Sequence, residues 1–114
     1  MKTKKDFIDN YSSNPELARK ALNAGGVDWA QIKECPQDYY AADTGSLTGM
    51  IYYSDTVKFA KKNHLLILQA LDNFERECGK LDKPSTEDET QYFNWLAWFA
   101  WENTMSEVIS YLED

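Results

Sequence analysis

Three features of the sequence predict an all-α fold. Apolar residues recur at three- and four-residue spacings through most of the chain. Capping residues, Gly and Pro punctuate those stretches. The alternation of a half-buried strand is absent outside Leu47 to Tyr53. With 114 residues, 43% hydrophobic and 14% aromatic, the chain is long and apolar enough to fold around its own core. The expectation is a single domain over 1–114, a compact bundle of about five helices whose last two are long.

The elements follow in order. Phe7, Ile8 and Tyr11 share one side of a short helix over residues 4 to 11. Asn14 supplies an N-cap and Pro15 a first helical residue, the stripe Leu17, Ala18, Ala21 and Leu22 follows, and Gly25-Gly26 closes a helix over 15 to 24. Asp28 caps a third helix through Cys35 that carries Trp29 and Ile32, and Pro36 ends it or opens a turn bearing Tyr39 and Tyr40. Ala42 to Gly49 is rich in turn formers and reads as the main surface loop.

Ser54 or Asp55 starts a long helix whose inward positions are Val57, Ala60, His64, Ile67, Leu68, Leu71, Phe74 and Cys78, with a bend at Asn63-His64 and Gly79 as its stop. Ser85-Thr86-Glu87-Asp88 resembles a capping box, so the last helix runs from about 86 to 112. Between Tyr92 and Trp101 it is apolar nearly all round, which marks it as the central helix. Past Trp101 only Met105, Val108, Ile109 and Leu112 form a stripe, and the helix is expected to leave the core.

Several function classes are disfavoured by composition. No apolar run is long enough to span a bilayer, and Asp6, Asp9 and Asn10 interrupt any signal-peptide core after Lys2, Lys4 and Lys5. Cytoplasmic residence is the expectation. Cys35 and Cys78 read as reduced thiols, and one histidine, His64, far from Cys35 leaves no zinc ligand set. No metal or cofactor is expected. The net charge is −7, and residues 84 to 114 hold seven acids with no Lys or Arg, so one end of the molecule should be negative. That disfavours direct nucleic-acid binding and favours a basic protein partner.

Two patches stand out for binding. Tyr39, Tyr40, Tyr52 and Tyr53 flank the loop that holds Asp43, and tyrosine gives rigid, amphipathic contact area. Glu87, Asp88 and Glu89 form an acidic start to the last helix, although such a run also serves simply as a solvated helix terminus. Trp95, Trp98 and Trp101 lie at i, i+3 and i+6; core packing explains them, and an exposed one would mark an interface. Glu102 adjoins this apolar run. If the two long helices pack antiparallel, it meets His64 as an acid-base couple, the arrangement a small hydrolase would need. The loop lacks the lysine and spacing of a phosphate-binding loop.

The stretch Asn94-Trp95-Leu96-Ala97-Trp98-Phe99-Ala100-Trp101-Glu102, preceded by Tyr53-Ser54-Asp55-Thr56-Val57-Lys58-Phe59, resembles a family of short uncharacterised phage and prophage proteins over the second half of the chain. The resemblance implies a setting in which small acidic proteins inhibit host defence systems, as anti-CRISPR proteins do. The leading expectation is therefore a non-enzymatic, protein-binding inhibitor that occludes a basic surface of a bacterial defence protein or ribonucleoprotein complex. The alternatives are a small enzyme using His64 and Glu102 and a homo-oligomeric helical scaffold such as a homodimer.

Overall fold

The computed structural model describes residues 2–24, 28–34 and 53–114, and every regular element among them is helical. Helix α1 is Lys4–Asp6 continued by a π-helical turn over Phe7–Tyr11. Helices α2 (Pro15–Ala24), α3 (Trp29–Glu34), α4 (Tyr53–Lys62), α5 (His64–Cys78) and α6 (Glu89–Glu113) follow. The all-α bundle is as expected, and the long helix anticipated over 55 to 78 is two helices, broken at Asn63.

The break has a local cause. Asn63 leaves helical geometry at φ −110°, ψ 24°, while both its backbone N–H and its side-chain amide donate to the Phe59 carbonyl at 3.0 and 2.9 Å. An Asn side chain that competes for a backbone acceptor ends a helix in this way. The Asn63 carbonyl then accepts from Ile67 at 2.9 Å and starts α5. Ala60, Ile67 and Leu71 are buried as expected, Val57, His64, Leu68 and Phe74 are half-buried, and Thr56 and Ala70 join the core. Cys78, assigned inward as the end of the stripe that holds Ile67, Leu71 and Phe74, is the last residue of α5 and an exposed free thiol.

Helix α6 is the axis of the molecule, with α1, α2, α4 and α5 all packed on it. Leu96, Ala97, Phe99, Ala100 and Trp101 are buried, as its all-round apolar composition required. It begins three residues later than the capping-box reading placed it. The Ser85 hydroxyl accepts from the Glu87 N–H at 3.1 Å, closing a local turn. Asp88 is the N-cap instead, accepting from the Gln91 N–H at 3.1 Å.

Contrary to expectation, α6 does not leave the core after Trp101: Thr104, Met105, Val108 and Tyr111 are all buried. The N-terminal segment covers them. The Phe7 ring lies between Trp29 and Tyr111, with centroids 6.1 and 5.7 Å away. Helix α6 has no basic residue in its last turn, and a cation at its final carbonyls would be stabilising. Lys2 provides it, donating from Nζ to the carbonyls of Tyr111 at 2.7 Å and Leu112 at 3.2 Å. Glu107, one turn back, accepts from the Ser13 N–H at 2.9 Å and so holds the entry to α2.

Candidate functional site

Two ring contacts fix how the long helices run. His64, at the start of α5, sets its ring edge against Phe93 near the start of α6, centroids 5.1 Å apart. Phe74, toward the end of α5, meets Phe99 edge-on at 5.7 Å. The helices therefore lie side by side in the same sense, and the chain must travel back along them before α6 begins. Gly79 starts that return, at φ 95° and ψ 163°, a region open essentially to glycine alone. Glu75 then holds the returning strand of chain, accepting from the Leu81 N–H at 2.9 Å and from Lys83 Nζ at 2.7 Å. Both donors favour the charged form, and they lower the Glu75 carboxyl from its ordinary range, Lys83 more than the Leu81 N–H.

This return builds a groove of about 430 Å³ between the end of α5, the linker and the middle of α6. Its aromatic lining is Phe74, Trp95, Trp98 and Phe99, closed on the linker side by Leu81. Trp95 stacks on Phe99 with centroids 6.0 Å apart and planes 12° from parallel, and Trp98 tilts against Trp95 at 6.4 Å. The charged residues in the lining are Asp82 from the linker and Glu102 from α6, with Asn103 and Ser106 adding neutral polar groups. Trp98 Nε1 is buried without a hydrogen-bond partner among the described residues. The volume falls within the range of sites that take a side chain or small ligand.

The three tryptophans divide accordingly. Trp101 is 1% exposed and belongs to the core, whereas Trp95 and Trp98 are half-buried and line the groove. Glu102 lines it too, but not beside His64. At 1.5 Å per residue, Glu102 lies about 13 Å further along the α6 axis than Phe93, against which His64 packs. The parallel packing thus separates the couple that an antiparallel arrangement would have joined. His64 Nε2 is buried without a hydrogen-bond partner among the described residues.

The remaining expected sites fare as follows. Tyr39, Tyr40, Asp43 and Tyr52 lie outside the described residues, as does the side chain of Tyr53, whose backbone opens α4. Glu87, Asp88 and Glu89 are all exposed, but only Glu87 offers a side chain without a structural partner among the described residues. Asp88 caps α6, and Glu89 pairs with Lys61 at 2.7 Å. The acids of residues 84 to 114 also do not gather at one end. Glu89 and Glu113 stand at opposite ends of α6, about 36 Å apart by the helix rise. The expectation of one negative end fails because a single straight helix distributes the charge along the whole molecule.

Sequence reasoning missed the linker's share of the groove, although Leu81 carried a signal as the one aliphatic residue in the polar stretch 80 to 84. Among the described residues no cluster of three or more His, Cys, Asp or Glu is placed to hold a metal ion, and no helix is long and apolar enough to cross a membrane.

Comparison with curated proteins and with solved structures gave no match to this chain. A family model described as a domain of unknown function, DUF7222, matches residues 5–114, and the chain belongs to that family.

Proposed function

We propose that this chain is a non-enzymatic protein-binding module that occludes a basic surface on a bacterial defence complex. The observation that carries the binding reading is the coincidence of aromatic area and negative charge in one groove. Trp95 and Trp98 stay half-buried there, with Asp82 and Glu102 beside them. Tryptophan is the residue most often responsible for binding energy at interfaces, and carboxylates next to it select a cationic partner. The defence setting comes from the resemblance of residues 94–102 to small phage and prophage proteins, and the net charge of −7 accords with a basic target.

The test is capture of partners by the tagged chain from a lysate of a bacterium bearing CRISPR and restriction systems, washed at low and at high salt. Recovery of one defence complex at low salt, and its loss at high salt, supports the reading. Recovery of nothing, with a chain that light scattering finds self-associated, replaces it with the homo-oligomeric scaffold.

Charge reversal refines the test. Glu87→Lys should slow association and weaken its salt dependence at only a small cost in Tm, because what its side chain adds to the fold is a negative charge at the positive N-terminus of α6, worth about 0.3–1 kcal/mol. Asp88→Lys is a poor probe, since losing the cap costs about 1 kcal/mol of stability by itself.

A further inference from the structure

We infer that the groove between α5, the linker and α6 is a receptor for an arginine side chain projected by the partner. The inference rests on the protein-binding reading above and deepens it by naming the chemistry of the occupant.

The lining specifies an elongated group, apolar along its length and cationic at its end. Phe74, Trp95, Trp98 and Phe99 present ring surface, and the charges in the lining, Asp82 and Glu102, are both negative. A purely aliphatic occupant would take the Asp82 carboxylate out of water with no cation to offset it, which is unfavourable. An anionic occupant would be repelled by both. A cation over an indole face is attracted by the ring quadrupole, and tryptophan is the strongest such acceptor.

Between the two basic side chains, arginine fits better. Its guanidinium is planar, stacks flat on aromatic rings, and directs paired N–H donors at a carboxylate. The lysine ammonium is a compact, strongly hydrated point charge that loses more by leaving water. The half-buried Trp95 and Trp98 indoles at the groove provide ring surface suited to such stacking. Asn103 and Ser106 at the same groove supply neutral polar groups for the partner's backbone.

The groove is made by parts of the fold that have separate supports. Asp82 is carried by the segment that Glu75 fastens through Leu81 and Lys83, whereas Glu102 is fixed on α6. Each carboxylate can therefore be neutralised alone, and Asp82, exposed on the linker, is the substitution less able to disturb the core.

The test uses the full chain labelled with nitrogen-15 and three probes, the peptide N-acetyl-Leu-Arg-Leu-amide, its lysine counterpart and its neutral citrulline counterpart. Titration with the arginine peptide should shift the indole N–H signals of Trp95 and Trp98 and leave those of Trp101 and Trp29 in place. The citrulline peptide should bind at least about tenfold more weakly, the size of one lost charge-assisted contact, and the lysine peptide should fall between. Asp82→Asn, and separately Glu102→Gln, should each erase most of the preference for arginine over citrulline.

No shift at Trp95 and Trp98 with millimolar arginine peptide overturns the inference, as do equal shifts with the citrulline peptide, which would make the groove a plain apolar surface. If the peptides fail while the lysate experiment still recovers a salt-sensitive complex, the inference falls and the protein-binding reading stands.

Discussion

Lys83 Nζ lies 2.7 Å from Glu75 Oε2, and this ion pair fastens the linker to the helix it has just left. The Glu75 side chain is only 17% exposed, so the pair is better shielded from solvent than the other ion pairs among the described residues. Through it the linker lies along α5 and Leu81 and Asp82 reach the groove.

A consequence for acid stability follows. The Lys83 ammonium and the Leu81 N–H both lower the Glu75 carboxyl. A group whose pKa is depressed in the folded state adds stability above its unfolded value and withdraws it as pH falls through the folded one. Acidification should therefore release the linker and change the fluorescence of Trp95 and Trp98 before the chain unfolds globally. Glu75→Gln should lower the Tm at neutral pH and abolish that early step. A fluorescence titration in which the variant and the parent coincide would show that the linker is held by other means.

The opposite sign applies at the other end of α6. The Tyr111 hydroxyl donates to the Asp6 carboxylate, and this bond, assisted by burial, pushes the Tyr111 pKa from 10.0 up to about 12. The same bond, with one from Asn10, lowers the Asp6 carboxyl. A raised pKa contributes stability that is present below the unfolded value and lost as pH climbs through the folded one. The link between α1 and α6 should thus weaken between about pH 10 and pH 12, and the Asp6 contribution should fade on acidification. Tyr111→Phe should remove this alkaline component. An ultraviolet titration of the tyrosines in the parent should show one late-ionising group that is missing from the variant.

Gly79 is a test of backbone conformation without steric complication. An added Cβ would meet nothing within 4 Å, so any loss in Gly79→Ala comes from φ 95° and not from a clash. The cost should be about 1–3 kcal/mol, the range for non-glycine residues in such regions. Chemical denaturation gives it directly. A loss near zero would mean that the linker can leave α5 by another route.

How far the sequence was legible depends on the range of the interactions involved. The central position of α6 was readable because Tyr92 to Trp101 leave no polar face, and the bend at Asn63 because Asn is a local competitor for backbone hydrogen bonds. The exposure of Cys78 was missed because the stripe of Ile67, Leu71 and Phe74 was continued to the last residue of α5, and spacing alone does not show where along a helix the core ends. The retention of Tyr111 in the core was missed because its cover, Phe7 and Lys2, lies more than a hundred residues away in sequence. The groove was invisible for a different reason. It depends on parallel packing and on a linker held by Glu75, whereas Trp95, Trp98 and Trp101 look alike when only their spacing is considered.

Trp98 and Trp101 separate the two roles that this shared spacing conceals. They are three residues apart on α6 and so differ by only about 60° around its axis, yet one faces the groove and the other the core. Trp101→Ala removes a side chain that is 1% exposed and should cost about 3–5 kcal/mol, enough to unfold a domain of ordinary stability at moderate temperature. Trp98→Ala removes a half-buried ring whose buried N–H has no acceptor among the described residues; no hydrogen bond is lost, and the cost should be well below that of Trp101→Ala. Thermal denaturation should therefore leave Trp98→Ala folded, while capture of a partner from lysate is lost. A Trp98→Ala chain that stays folded and still captures the same partner would place the binding surface elsewhere on the molecule.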